Sequence, residues 1–182
     1  MTHSRFFLAL LMAALSTLAC AVGFDPPTPG ASLDVPTVAP AQQPGVQGEV
    51  GVVTYVVDGD TIEVDMNGVG YRVRYVGINT PERDETCYQQ AKDANAALVQ
   101  GQTVTMVRDQ SNTDRYGRLL RYIYVGNRFV NAELVAGGYA EVVVYDPDDA
   151  NADYFRQLET QAASANLGCH PTGIFNDGSY VR

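Results

Sequence analysis

The sequence predicts an α+β fold, a five-stranded Greek-key barrel of the OB type with three helices, and three observations predict it. Five short runs of apolar residues, mostly alternating with polar ones, fall between residues 50 and 125. A run with helical spacing sits after the third of them, and two more helical runs follow the fifth.

Val52, Val53, Tyr55 and Val57 lead into Asp58-Gly59-Asp60, after which Ile62, Val64 and Met66 alternate with Thr61, Glu63 and Asp65, the pattern of a hairpin. Asn67-Gly68 turns the chain into a third strand over 71–77. There Val73 and Tyr75 face one way and Arg72 and Arg74 the other, which sends Arg74 to the outer face. Tyr88, Ala91, Ala94 and Leu98 have helical spacing over 88–100, stopped by Gly101. Strands follow at 103–107 and 119–125, then a short helix at 131–136 and a last strand at 139–145. A terminal helix over 152–165 has Tyr154, Phe155, Leu158 and Ala162 as its apolar face.

The barrel domain occupies 50–170, a length that suits one compact core. Residues 1–20 read as an export signal: Arg5 precedes an apolar run too short to span a bilayer, which ends at Ala19-Cys20. Small residues before a cysteine suit a lipoprotein signal, with Cys20 lipidated as the first mature residue; cleavage after Ala19 or Ala21 without lipid is the alternative. Residues 21–49 hold Pro26, Pro27, Pro29, Pro36, Pro40 and Pro44 among Ala, Gly and Gln. Such a segment lacks the apolar content for a core and reads as a disordered tether. Residues 171–182 are polar and read as a flexible tail. The expected protein is therefore exported, extracellular or in the cell envelope, touching a membrane only through a lipid anchor, and monomeric.

The chain carries a net charge of −9 over 182 residues, which opposes affinity for polyanions. Its cationic residues nevertheless cluster between Arg72 and Arg128, all arginine apart from Lys92. Past the leader, His170 is the last histidine. Two-histidine ribonuclease chemistry, zinc sites and a Ser-His-Asp triad therefore lack parts. There is no phosphate-binding P-loop, and the acidic run from Asp146 to Asp153 lacks the glycine and terminal glutamate of a calcium-binding EF-hand loop.

What the chain does offer is Asp58-Gly59-Asp60-Thr61, then Arg74, then Asn79-Thr80-Pro81-Glu82, and finally Asp114-Arg115-Tyr116-Gly117-Arg118. Cleaving a phosphodiester needs a hard cation on oxygen ligands, a carboxylate to activate water, and fixed positive charge facing the transition state. Asp60 and Asn79 are candidate cation ligands, Glu82 the candidate base, and Arg74 and Arg118 the candidate forks for phosphoryl oxygens. Taken singly, each motif has a bland reading as a turn, a helix start or a solvated loop; their joint order favours chemistry.

These motifs resemble the staphylococcal nuclease (thermonuclease) family from about Gly51 to about Gly168, with one departure: Asn79 stands where the family usually has aspartate. The resemblance implies the same barrel, with Arg74, Glu82 and Arg118 catalytic and Ca²⁺ held by Asp60, Asn79 and the Thr80 carbonyl. Asp58 would stand behind the metal ligands, while Arg115, Tyr116 and Tyr145 would touch nucleotide. It further implies endonuclease activity on DNA and RNA with little sequence specificity, leaving 3′-phosphate ends. The alternative is a non-catalytic OB-fold lipoprotein that binds nucleic acid without cutting it. A carboxamide at 79 brings no charge, so Asn79→Asp is expected to lower the calcium requirement.

Cys87 and Cys169 remain once Cys20 is set aside, an even pair in a chain expected to leave the cytosol. A disulfide between them is expected, with two free thiols as the alternative.

Overall fold

The computed structural model of the chain describes residues 46–176. Cys20, the export signal and most of the tether lie outside the described residues, as does the tail beyond 176.

Strands β1 (Glu49–Val56), β2 (Thr61–Met66) and β3 (Val69–Tyr75) form an antiparallel meander. Thr54 is an extra residue in β1, since Val53 pairs with Val64 but Tyr55 pairs with Glu63. This bulge resets the pleat, so Val53 and Val56 are buried while Val52 and Tyr55 face out. A two-residue strand β4 (Ile78–Asn79) precedes helix α1 (Tyr88–Val99). Strands β5 (Thr103–Val107) and β6 (Leu119–Val125) complete the barrel, and β7 (Arg128–Phe129) extends its edge beside β6.

Closure comes from a parallel pairing of β3 with β6, in which Val73 lies opposite Leu119 and Arg74 opposite Leu120. The barrel encloses Val53, Ile62, Val64, Val73, Tyr75, Val104, Met106 and Ile123, the inward set of the sequence alternation. Helix α2 (Val130–Ala136) and helix α3 (Ala152–Ser164) pack on each other, and Phe155 of α3 lies 5.4–6.2 Å, ring to ring, from Phe129 and Tyr122.

Three expectations are corrected. The last strand, expected over 139–145, is only β8 (Glu141–Val142), because the short β4 is its sole ladder partner and supports two pairs. Helix α1 buries Ala91, Asn95 and Val99 rather than Ala94 and Leu98, which are half-buried; the helix is rotated to aim Asn95 inward. In α3, Phe155 and Ala162 are buried as expected but Tyr154 is exposed.

Cys87 and Cys169 are joined by a disulfide with Cα atoms 5.7 Å apart, as the cysteine count anticipates. They sit in a small second cluster with Ala91, packed against Tyr139, Ile174 and Phe175. The start of the expected tail is therefore folded, as short 3₁₀ turns at His170–Thr172 and Ile174–Asn176 that cover the disulfide.

Candidate active site

The turn from β1 to β2 presses against Thr80. A Cβ on Gly59 would lie 2.6–2.8 Å from three Thr80 side-chain atoms, so glycine is needed for close approach rather than for an unusual φ. Across that contact Asp60 Oδ2 accepts from the Thr80 N–H at 2.9 Å and from its hydroxyl at 3.0 Å. Asp60 Oδ1 accepts from the Thr61 hydroxyl at 3.1 Å and forms an ion pair with Arg74 Nε, also at 3.1 Å. In this buried carboxylate Oδ2 therefore has two donors, while Oδ1 has one donor and an ion-pair partner and keeps acceptor capacity for a further ligand.

Arg74 leaves the barrel core, as the strand alternation requires, but it does not reach open solvent. Its side chain is 12% exposed, because Nη1 donates to the Tyr75 and Ile78 carbonyls at 2.7 and 2.8 Å and Nη2 to Asn79 Oδ1 at 2.9 Å. Three of the five guanidinium N–H groups donate to described residues and Nε faces Asp60 in the ion pair, which leaves one N–H on Nη2. Asn79, 2% exposed, also donates from Nδ2 to Glu141 Oε1 at 3.2 Å, its register partner across β4 and β8.

Asp58 accepts from the Asp60 N–H at 3.0 Å, and its pKa is pushed up to about 7, first by burial and then by the charge of Asp60. Asn95, wholly buried on α1, donates to the Asp58 carbonyl at 2.9 Å and accepts from the Tyr75 hydroxyl at 2.9 Å, fixing the turn to helix and barrel. Glu82 is exposed, and its carboxylate accepts no hydrogen bond from the described residues. Its pKa is raised by partial desolvation, then by Asp60, against the opposing pull of Arg74 and Arg118.

The second group lies on the loop before β6. Asp114 Oδ1 accepts from the N–H groups of Tyr116 and Arg118 at 2.9 and 3.0 Å, and Oδ2 accepts from Arg118 Nε at 2.6 Å. Burial would raise the Asp114 pKa, but these donors outweigh it and hold it low. With Nε engaged, neither terminal nitrogen of Arg118 donates to a described residue, so both can meet a ligand. Its guanidinium lies 5.5 Å from the centroid of the Tyr116 ring, and Arg115 lies 4.8 Å from that ring while donating to its hydroxyl at 2.6 Å. Tyr145, half exposed, bridges to Asp148, whose carboxylate accepts from the Gln110 and Ser111 N–H groups at 2.9 and 2.8 Å and so holds this loop.

The structure therefore brings Asp58, Asp60, Arg74, Asn79 and Thr80 into one bonded cluster, gathers Arg115, Tyr116 and Arg118 in another, and sets Glu82 within the electrostatic reach of both arginines. Sequence reasoning missed Asn95, Glu141 and the clamp made by Asp114. The available signals were an asparagine on the apolar face of a helix and a glutamate in an otherwise apolar strand.

Among the described residues, no three histidine, cysteine or acidic side chains converge as a metal cage. The amide oxygen of Asn79 is given to Arg74. What suits a hard cation is the Asp58 and Asp60 pair, crowded enough that one carboxylate raises the pKa of the other.

The staphylococcal nuclease homologue family matches residues 72–169. Over 128 residues the chain is 33% identical to the thermonuclease of Staphylococcus intermedius, covering 67% of this chain and 76% of that protein. It is 38% identical over 133 residues to the endonuclease YncB of Bacillus subtilis (strain 168), covering 69% of this chain and 61% of that protein. The SPbeta prophage-derived endonuclease YokF of the same organism is 37% identical over 133 residues, covering 69% of this chain and 43% of that protein. With the closed barrel, its three helices and this family match together, the chain belongs to the staphylococcal nuclease homologue family.

Proposed function

We propose that the chain is a phosphodiesterase, an endonuclease that hydrolyses DNA and RNA with little sequence preference and leaves 3′-phosphate ends. The observation that carries this reading is Glu82, an exposed carboxylate that accepts no hydrogen bond from the described residues and lies within the electrostatic reach of both Arg74 and Arg118, its pKa raised by partial desolvation. Relatives named thermonuclease and endonuclease support the reaction class.

A raised pKa makes Glu82 a stronger base at neutral pH. As a water oxygen bonds to phosphorus, its proton passes to the Glu82 carboxylate. The bond from phosphorus to the 5′ oxygen breaks on the opposite side, and that oxygen takes a proton from solvent. The terminal nitrogens of Arg118 and the one unengaged N–H of Arg74 stabilise the phosphoryl oxygens as charge gathers on them. Asp60, with Asp58 beside it, would hold calcium, which would supply further positive charge to the phosphoryl group.

Digestion of a supercoiled plasmid and of an RNA transcript, with calcium and with chelator, tests the reading. Nicked and linear products that depend on calcium and end in 3′-phosphate support it; shifted but uncut nucleic acid supports the binding-only alternative. The basic start, apolar run and Ala19-Cys20 junction further support export and a lipid anchor at Cys20. Mass spectrometry showing acyl chains on Cys20 tests that part, and an unmodified chain starting elsewhere overturns it.

A further inference from the structure

Because the Glu82 carboxylate accepts no hydrogen bond from the described residues, its place is set by the backbone that carries it. That backbone is a closed turn. The Glu82 N–H donates to Glu85 Oε2 at 2.7 Å, and the Glu85 N–H donates back to the Glu82 carbonyl at 2.8 Å. The Tyr88 N–H then donates to the Glu85 carbonyl at 3.3 Å and ties the turn to the start of α1.

Cys87 stands where this turn meets the helix. It is the N-cap of α1, yet its side chain makes no capping hydrogen bond and the first turn of the helix carries no acidic residue. Its φ is 71°, in the left-handed region. Among the described residues other than glycine, Asn67 and Asn166 share a positive φ, and asparagine tolerates that region where cysteine is disfavoured. What holds Cys87 there is its bond to Cys169. Cys169 is a firm anchor: it is wholly buried, its N–H donates to the Gly138 carbonyl at 2.8 Å, and a Cβ on Gly168 would lie 2.5 Å from the Gly137 and Gly138 carbonyl oxygens.

We infer that Glu85 and the Cys87–Cys169 disulfide are the positioning elements of Glu82, and that the disulfide makes cleavage conditional on an oxidising environment. A dithiol that reduces the bond gives two electrons and two protons, leaves Cys87 and Cys169 as thiols and itself becomes a disulfide; a disulfide oxidant takes the electrons and protons back. Once released, Cys87 relaxes towards negative φ, and the turn that carries Glu82, five residues upstream, moves with it. Asp60, Arg74 and Arg118 stay, since the bonds that hold them involve neither Glu85 nor either cysteine. Misplacing a reacting group by about 1 Å costs about a hundredfold in rate, so the reduced protein holds its substrate with the base out of line.

The inference rests on the nuclease reading, and the test separates the two. Steady-state cleavage of a fluorogenic oligodeoxynucleotide at saturating calcium is measured for the oxidised wild type, Cys87→Ala/Cys169→Ala and Glu85→Ala, each with and without Glu82→Gln. Thermal melts fix a temperature at which every variant is folded. Cys87→Ala/Cys169→Ala and Glu85→Ala should each lose about tenfold to a hundredfold in kcat with KM within about twofold of wild type. On the Glu82→Gln background neither should lower the residual rate further, because there is no base left to position. If the cysteine-free variant does not fold, Glu85→Ala, which keeps the disulfide, decides by the same readouts. A folded variant that cuts at the wild-type rate, a loss that falls on KM, or an equal loss on the Glu82→Gln background overturns the positioning role while leaving the nuclease reading in place. An oxidised wild type that cuts nothing overturns both.

Discussion

Asn79 hands its amide nitrogen to the Glu141 carboxylate at 3.2 Å and its amide oxygen to Arg74 at 2.9 Å. A carboxamide donates to a carboxylate and accepts from a guanidinium at once, which an ionised aspartate cannot do, so the residue that departs from the family pattern is fitted to its neighbour on β8. Asn79→Asp alone sets two carboxylates against each other and should destabilise the fold by about 1–3 kcal/mol. Adding Glu141→Gln restores a donor across the same gap at unchanged net charge and should recover most of the loss. Urea unfolding of the two single variants and the double variant measures the coupling, and additive effects would show that the pair does not act as a unit. Calcium titration of the double variant then asks cleanly whether a carboxylate at 79 lowers the calcium requirement.

Glu82→Gln and Arg118→Ala should each lower kcat about 10²- to 10⁴-fold while leaving the unfolding midpoint nearly unchanged, because both side chains work from loops outside the core. Activity within a few-fold of wild type in either variant would move the active site elsewhere.

The acid limb of activity should lie above the ordinary glutamate range. Glu82 must be ionised to accept the proton, and its pKa is raised, so kcat falls as pH drops through that raised value. The limb should disappear from the residual activity of Glu82→Gln; a limb at an ordinary glutamate pKa in the wild type would argue for a base in a different environment.

Asp58 makes the opposite demand on stability. Its folded pKa of about 7 exceeds the unfolded value of 3.8, so its contribution is fully present below the unfolded value and is lost as pH rises to about 7. Asp58→Asn should therefore raise Tm at pH 8 and leave it little changed near pH 3, and thermal melts across that range read the difference directly.

Reducing the disulfide opens a loop spanned by 82 residues of sequence separation and should lower stability by up to roughly 4–5 kcal/mol. Both cysteines should resist a thiol reagent in the folded, unreduced protein, and ready modification of either would contradict the bond.

The barrel strands were legible in the sequence because each puts one alternating face into a shared core, and Asp60, Arg74, Glu82 and Arg118 because their motifs are contiguous. What sequence could not supply was partnership across distance. Glu141 becomes the neighbour of Asn79 only when two two-residue strands pair, and nothing local marks β4 or β8 as strands. Asn95 reads as a blemish on a helix until the Tyr75 hydroxyl and the Asp58 carbonyl are seen on either side of it. Arg74 illustrates the same limit, since alternation fixed the face it leaves by but not the three acceptors and the carboxylate that enclose it.

The parallel seam between β3 and β6 has a temporal meaning as well. Arg74 arrives early in the chain and Arg118 late, and they become neighbours only when that seam shuts the barrel. A nascent polypeptide halted before Arg118 already contains Asp60, Arg74 and Glu82, yet it lacks both Arg118 and the strand that pairs with β3 to close the barrel. The candidate site is therefore complete only once the barrel has closed, so its assembly and the closure of the fold are one event.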